Sequence, residues 1–269
     1  MKNKNTTMKI ESNIFTALTI AGSDSGGGAG IQADMLTFAS CGVFATSAIA
    51  AITAQNPLGV RAISTTPIDV FKAQLETVYD YFKPKALKTG MLFDAQHIAT
   101  TANFLEEHPD IMAVVDPVMI STSGSRLLKS DAEETLKNKL LPLATLITPN
   151  LDEAKELIGE DITNMEQTAI KLSKKFSTSV LLKGGHLDGS DIVDILCMKN
   201  GDIYKYYSTR IPNIDTHGSG CTLSASITAY LAKGNSVEQA FRKGRNFLLK
   251  GMQSPVCICG TNFINHFPK

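Results

Sequence analysis

The segment Asn213-Ile-Asp-Thr-His-Gly-Ser-Gly-Cys221 runs directly into Thr222–Lys233, whose composition predicts a helix. Gly218, Ser219 and Gly220 let successive backbone N–H groups converge, and the following helix adds the positive end of its dipole. Such a loop can hold an anion, a phosphoryl group for example. Cys221 sits in the same field, where a thiol is expected to have a lowered pKa and to act as proton acceptor or nucleophile. As an isolated feature it fits a packing residue at a helix start equally well. His217 offers a phosphate contact, although capping of the loop is its simpler role.

A second glycine-rich loop, Gly22-Ser-Asp-Ser-Gly-Gly-Gly-Ala-Gly30, follows an apolar run and opens a helical stretch, where dinucleotide and phosphate loops lie. Its spacing fits neither kind. Read from Gly26 or Gly28, G-x-G-x-x-G requires glycine where Ile31 or Ala33 stands, and a P-loop begun at Gly22 meets Gly28 where lysine is needed. The loop still permits close backbone approach to a small ligand, with Asp24 and Asp34 supplying carboxylates nearby. Standing alone it reads as a tight strand-to-helix turn with Asp34 on a solvated helix face. Three further groups end apolar runs: Asp116 after Met112–Val115, Asn150 with Glu153 after Thr148-Pro149, and Lys183-Gly-Gly-His186 after Ser179–Leu182. Hard oxygen ligands there suit Mg²⁺, and a lysine there suits phosphate. Asn150 and Glu153, three residues apart on one helix face, equally spell a helix N-cap with a capping box.

The elements that must position these groups alternate. Apolar runs suited to buried strands are Phe15–Ala21, Val43–Ala51, Ala86–Thr89, Met112–Asp116, Leu146–Thr148 and Ser179–Leu182. Between them the periodicity predicts helices over Gly30–Cys41, Pro67–Phe82, Ala95–Glu107, Asp131–Leu141, Leu151–Leu157 and Met165–Phe176. Ile192–Met198 and Asp202–Thr209 flank an Asn200-Gly201 turn and predict an antiparallel hairpin at one sheet edge; Thr222–Lys233 and Val237–Ser254 predict the last helices. The expectation is an α/β fold: a mostly parallel sheet covered by helices, with ligands beyond the carboxyl ends of the strands. The 269 residues contain no linker-like or low-complexity tract, so one domain over 14–269 is expected, preceded by a flexible head over 1–13.

Lys+Arg 26 against Asp+Glu 26 leaves no net charge, which argues against nucleic acid or an anionic membrane as partner. No run approaches the ~18 apolar residues of a membrane helix, and the head does not read as a signal peptide. Five scattered cysteines without zinc or redox spacing point to a reducing cytoplasm. Cys41, Cys197, Cys257 and Cys259 read as small buried hydrophobes.

Taken in order, the motifs resemble the hydroxymethylpyrimidine/phosphomethylpyrimidine kinases of thiamine biosynthesis, in the ribokinase superfamily. The resemblance runs from about Ala17 to Gly251. It is carried by Thr19-Ile-Ala-Gly-Ser-Asp-Ser-Gly-Gly-Gly-Ala-Gly-Ile-Gln-Ala-Asp34, Ile52-Thr-Ala-Gln-Asn56, Lys88-Thr-Gly-Met91, Val115-Asp-Pro-Val-Met119, Thr148-Pro-Asn-Leu-Asp-Glu-Ala154, Lys183-Gly-Gly-His186 and Thr216-His-Gly-Ser-Gly-Cys-Thr-Leu-Ser224. It implies a three-layer ribokinase-like sandwich and transfer of the ATP γ-phosphoryl to 4-amino-5-hydroxymethyl-2-methylpyrimidine and then to its monophosphate. Mg²⁺ is implied as cofactor, with a monovalent cation as a further candidate, and a homodimer as the assembly.

Carried over residue by residue, the resemblance puts Gly22, Asp34, Gln55, Met91 and Val118 in the substrate pocket. Cys221, Gly218, Gly220 and Lys183 fall at the reacting centre. Asp116, Asn150, Glu153, Lys183, Thr216 and Ser219 fall on ATP, with Asp116 and Glu153 near the metal through water or phosphate. The amide of Gln55 can match an aminopyrimidine as donor and acceptor. Two departures stand out: Ile120-Ser-Thr-Ser-Gly124 lacks the lysine many relatives carry, and Cys257-Ile-Cys-Gly-Thr-Asn-Phe-Ile-Asn-His266 replaces a glycine-rich segment and receives no role. The rival within the class is a pyridoxal kinase, which shares the His-Gly-x-Gly-Cys loop. A non-catalytic ligand-binding protein and an NAD-dependent oxidoreductase are the rivals outside it, the latter weakened by the failed fingerprint.

Overall fold

The computed structural model describes residues 14–119, 128, 132–185 and 191–268. The expected head over 1–13, the departure at 120–124, Asp131 and His186 lie outside them.

Nine strands form one sheet in the order β3-β2-β1-β4-β5-β6-β7-β8-β9. The six central ones are parallel: β2 (Phe44–Asn56), β1 (Thr16–Ser23), β4 (Ala86–Thr89), β5 (Met112–Val115), β6 (Leu146–Ile147) and β7 (Ser179–Leu182). Antiparallel strands close both edges, β3 (Gly59–Thr65) on one side and the hairpin β8 (Asp191–Cys197)–β9 (Ile203–Thr209) on the other. The central strands are short and apolar because both faces are covered. Successive side chains enter opposite cores. Leu18, Ile20, Val115, Ile147 and Leu182 join the core packed by α2 (Ile68–Phe82), α3 (Ala95–Glu107), α5 (Leu151–Ile158) and α6 (Met165–Phe176). Ala17, Val114, Leu146 and Leu181 join the core packed by α1 (Gly30–Ser40), α7 (Ser219–Ala232) and α8 (Val237–Gln253). The expected α/β architecture, with helices on both faces of a mostly parallel sheet, is therefore present.

Helix α7 is buried on nearly every side, between the sheet, α1 and α8. Its hydroxyls survive there because they return to the helix's own carbonyls: Thr222 Oγ1 donates to Gly218 O at 2.9 Å, Ser224 Oγ to Gly220 O at 2.8 Å and Thr228 Oγ1 to Ser224 O at 2.8 Å.

Four expectations are corrected. The strand expected over Val43–Ala51 continues to Asn56 and folds back as β3, so both sheet edges carry antiparallel strands. The helix expected up to Leu141 is one α turn, α4 (Ala132–Thr135), followed by a π turn over Leu136–Leu140 and a 3₁₀ turn over Leu141–Leu143 that contains Pro142. The last residues form a hairpin, β10 (Val256–Ile258) and β11 (Thr261–Phe263). Its tight turn holds Cys259 and Gly260 at φ 50° and 81°, so Cys257 and Cys259 are exposed and not core residues. Cys41 and Cys197 are buried as expected. Among the described residues no helix is long and apolar enough to cross a membrane.

Candidate active site

The chain leaves β1 for β2 on one side and later returns to place β4 on the other, so a crevice opens beyond the carboxyl ends of β1 and β4. Gly22 N donates to Met91 O at 3.0 Å there, and a Cβ on Gly22 would stand 2.3 Å from Met91 Cε. A side chain at Gly22 would displace the Met91 methyl from this place. Beyond it, Asp24 organises the first glycine loop: Oδ1 accepts from Gly26 N at 2.8 Å and Oδ2 from Ala29 N at 2.9 Å. Oδ2 also faces His217 Nε2 at 2.9 Å, which ties this loop to the second. Burial pushes the Asp24 carboxyl up, but the bonds from His217, Gly26 and Ala29 together hold it below its usual range, and Asp24 in turn raises His217.

The two loops also interlock through backbone. Gly218 has φ +81°, and a Cβ there would lie 1.8 Å from Gly28 O. The tip of β2 joins the same assembly: Gln55 N donates to Ser25 Oγ, which donates to Gln55 O, each at 2.8 Å, and Gln55 Nε2 lies 3.4 Å from His217 Nε2.

At the ends of β5, β6 and β7 the chemistry changes to buried and half-buried charge. Asp116 Oδ1 accepts from Thr148 Oγ1 at 2.9 Å and from Lys183 Nζ at 3.0 Å, and Oδ2 accepts from Ser224 Oγ at 3.3 Å. Asn150 and Glu153 do form the capping box at the start of α5: Glu153 N donates to Asn150 Oδ1 and Asn150 N to Glu153 Oε2, both at 2.8 Å. Burial pushes the Glu153 carboxyl to about 7, with Lys183 opposing and the Asp116 charge adding to the rise. Asp116 stays below its usual range because Lys183 and Lys88 outweigh its own burial. Among the described residues no group of three or more His, Cys, Asp or Glu could hold a metal ion. Two hard carboxylates suit a divalent cation that takes most of its oxygens from phosphate and water.

These two regions are opposite ends of one cavity of about 730 Å³. Gly22, Gln55, Met91 and Val118 line it on the β1–β4 side. Asp116, Asn150, Glu153 and Lys183 line it at the strand ends, and Thr216, Gly218, Ser219, Gly220 and Cys221 lie along the second glycine loop. Gly220 faces the charges, since a Cβ there would stand 3.4 Å from Lys183 Nζ and 3.5 Å from Asp116 Oδ2.

Two expectations change. Asp34 is not on the cavity wall: it is fully buried behind it, accepting from Thr19 Oγ1 at 2.7 Å and paired with Lys88 Nζ at 2.7 and 2.8 Å. The Cys221 thiol is raised, not lowered, because burial outweighs the Lys88 ammonium and the hydrogen bond from Gly30 N–H. A helix end alone does not lower a thiol pKa when the same packing removes water.

Sequence reasoning missed three supports. The Asp24–His217 contact spans 193 residues and shows no local signal. At the outer wall Arg245 Nε lies 2.9 Å from Asp194 Oδ2, while Asp194 Oδ1 accepts from Gly184 N at 2.9 Å. The C-terminal segment, given no role above, braces the second loop: Asp215 N donates to Asn262 O and Asn262 Nδ2 to Asn213 O, both at 2.9 Å, and His266 Nε2 lies 3.1 Å from Thr222 Oγ1.

Comparison with known proteins agrees with this geometry. A family model described as phosphomethylpyrimidine kinase matches residues 24–263. The hydroxymethylpyrimidine/phosphomethylpyrimidine kinase of Haemophilus influenzae is 44% identical over 253 residues, covering 92% of this chain and 94% of that one. Among solved structures, the phosphomethylpyrimidine kinase of Clostridium difficile 630 superposes with TM-score 0.78 at 42% identity, covering 87% of this chain and 98% of its own. An ADP complex of Bacillus subtilis pyridoxal kinase superposes with TM-score 0.85 at 35% identity, covering 94% and 97%. The extent and identity of these matches show that the chain belongs to the phosphomethylpyrimidine kinase family and has its ribokinase-like α/β fold.

Proposed function

We propose that this kinase transfers the γ-phosphoryl group of ATP to the hydroxymethyl oxygen of 4-amino-5-hydroxymethyl-2-methylpyrimidine, and a second γ-phosphoryl group to the resulting monophosphate. The observation that carries this reading is the position of the Gly218–Cys221 loop in one cavity, between Gln55 and Met91 on one side and Lys183, Asp116 and Glu153 on the other. The pyrimidine packs against Met91 and Val118 with its amino and ring nitrogens on the Gln55 amide. The nucleotide lies across the strand ends, its phosphates toward Lys183, Thr216, the Ser219 side chain and the Gly220 N–H, the Ser219 N–H itself being used by Thr216 O at 3.0 Å. Apolar Ile214, Leu248 and Met252 line the same cavity and offer a surface for the base.

In each step the acceptor oxygen forms the new bond to phosphorus as the bond to the ADP oxygen breaks. For the first step the hydroxyl proton passes to the Cys221 thiolate. Backbone N–H groups of the second loop and the Lys183 ammonium stabilise the charge on the transferring group. A divalent cation held by the ATP phosphates and reached by Asp116 and Glu153 would neutralise further phosphate charge. The raised thiol sets a sign: the thiolate is the active form, so kcat/KM rises with pH and is still rising above the ordinary thiol value of about 8.5.

The same reading takes the protein as one catalytic domain over 14–269, working in the cytoplasm as a homodimer. Pyridoxal is the second substrate candidate, supported by the closer superposition of the pyridoxal kinase at TM-score 0.85. ADP release measured side by side with MgATP and each of hydroxymethylpyrimidine, its monophosphate and pyridoxal tests the choice. Release with the pyrimidines at higher kcat/KM than with pyridoxal supports the reading, and release with pyridoxal alone contradicts it.

A further inference from the structure

Two fully buried charges, Asp34 and Lys88, stand outside the cavity and outside the chemistry above. A buried ion pair is a poor device for stability, because desolvating both groups offsets most of their attraction. Their placement suggests another use. Asp34 lies on α1 one turn after Gly30, whose backbone N–H is near enough to the Cys221 sulfur to favour the thiolate, and Gly30 and Cys221 both line the cavity. The sulfur therefore sits at the start of the helix whose next turn carries the carboxylate. Lys88 Nζ bonds both Asp34 oxygens and lies immediately beneath Gly90, where a Cβ would stand 3.1 Å from it. Gly90 and Cys221 both line the cavity, and α7, which carries Cys221, packs over β4 and α1. A fixed ammonium thus lies beside Gly90, which lines the same cavity as the thiol.

We propose that Lys88 and Asp34 are positioning residues of opposite sign for Cys221: the ammonium, pinned under Gly90 by Asp34, stabilises the thiolate, and the carboxylate limits that stabilisation. The proposal rests on the reading of Cys221 as proton acceptor. The electrostatic balance supports it, since after burial Lys88 is the largest influence on the thiol and favours the thiolate, while Asp34 opposes it. The other charges facing Cys221 are Asp116 at the end of β5, which opposes the thiolate, and Lys183 at the end of β7, which favours it. Neither is as enclosed as Lys88, whose only ion-pair partner among the described residues is Asp34.

The test reads the thiol itself, without turnover, in the full chain carrying Cys257→Ser and Cys259→Ser so that the two exposed thiols do not compete for reagent. The pH dependence of iodoacetamide alkylation is followed on the peptide containing Cys221. The double variant Asp34→Asn/Lys88→Met keeps volume and leaves no unpaired buried charge, so it is expected to fold. It should raise the alkylation midpoint by about one pH unit, roughly a tenfold slower reaction at fixed pH. Asp34→Asn alone keeps the ammonium and should lower the midpoint. A purely structural pair would not move the midpoint in opposite directions.

An unchanged or lowered midpoint in the folded double variant overturns the proposal, as does a raised midpoint in Asp34→Asn; if that single variant does not fold, the double variant decides. Should the midpoints move as stated while Cys221→Ala retains full turnover, the positioning role stands and the proton-acceptor reading falls.

Discussion

On the β1–β4 side of the cavity, Asp24, His217, Gly28 and Gly218 hold one another at hydrogen-bond and backbone contact distance before any ligand arrives. At the ends of β5 to β7, Asp116, Glu153 and Lys183 are packed together with their charges in competition, and Glu153 is pushed to about 7. The first end is finished by the chain itself. The second is finished by a ligand, because two buried carboxylates beside one ammonium leave an imbalance that phosphate and a divalent cation can change. Rigidity is concentrated where a small ring must be oriented, and unspent electrostatics where charge moves during transfer.

The largest break in this contrast is expected from Gly218→Ala. The added Cβ would stand 1.8 Å from Gly28 O at a φ of +81°, so the loops must part. Activity should fall by at least about a thousandfold and stability by about 2–4 kcal/mol, read by ADP release and denaturant unfolding. If both stay near wild type, the interlock is not needed. Next in size is Lys183→Met, which leaves Asp116 and Glu153 facing each other without the ammonium. It should lower kcat/KM by about a hundredfold or more and raise the Glu153 pKa further, visible in a carboxyl titration by NMR.

Glu153→Gln sharpens the contrast from the other direction. A carboxyl whose folded pKa lies above its unfolded value takes up a proton on folding, so stability falls as pH rises from about 4.3 to about 7 and that loss is complete above. Glutamine removes the loss while still able to accept from Asn150 N. The ligand-free variant should therefore gain on the order of 1–3 kcal/mol at pH 8, and gain less stability from MgATP than wild type does. The smallest effect belongs to the Asp24–His217 contact. His217 is raised, so its contribution is present below the ordinary histidine value and is lost as pH rises through the raised value. Asp24 is lowered, so its contribution is present above the ordinary carboxyl value and is lost as pH falls. The contact is strongest between roughly pH 4 and 6.5. Asp24→Asn should cost about 1 kcal/mol within that window and return the His217 titration toward its ordinary value.

The same division marks what was legible in the sequence. The central strands were readable because burial on both faces makes each a short apolar run, and the Asn150–Glu153 box because its signal is local. Gln55 came from a motif, while the hairpin that carries it was missed: beyond Ala51 the strand leaves the protected sheet, and Ile52 is 59% exposed, so no apolar run marks it. Lys88 was read as part of a strand and of a family motif, and Asp34 as a pocket residue or one on a solvated helix face, because their pairing is set by the sheet across 54 residues. The π turn at Leu136–Leu140, with Leu136 and Leu140 buried, continues the apolar periodicity of the helix expected there, so the pattern did not mark it. The β10–β11 turn uses Cys259-Gly260 where Asn-Gly would have announced a hairpin. The direction of the Cys221 shift required knowing how the fold packs around the sulfur, which no local pattern shows.

The central claim is that Cys221, at the junction of the two ends, takes the proton from the acceptor hydroxyl. It is tested most directly by steady-state ADP release from MgATP and hydroxymethylpyrimidine in Cys221→Ala. The account predicts a fall in kcat of about 10²–10⁴ with KM changed by no more than a few fold, and loss of the rise in rate with pH. A variant that keeps the wild-type kcat and pH profile would contradict it.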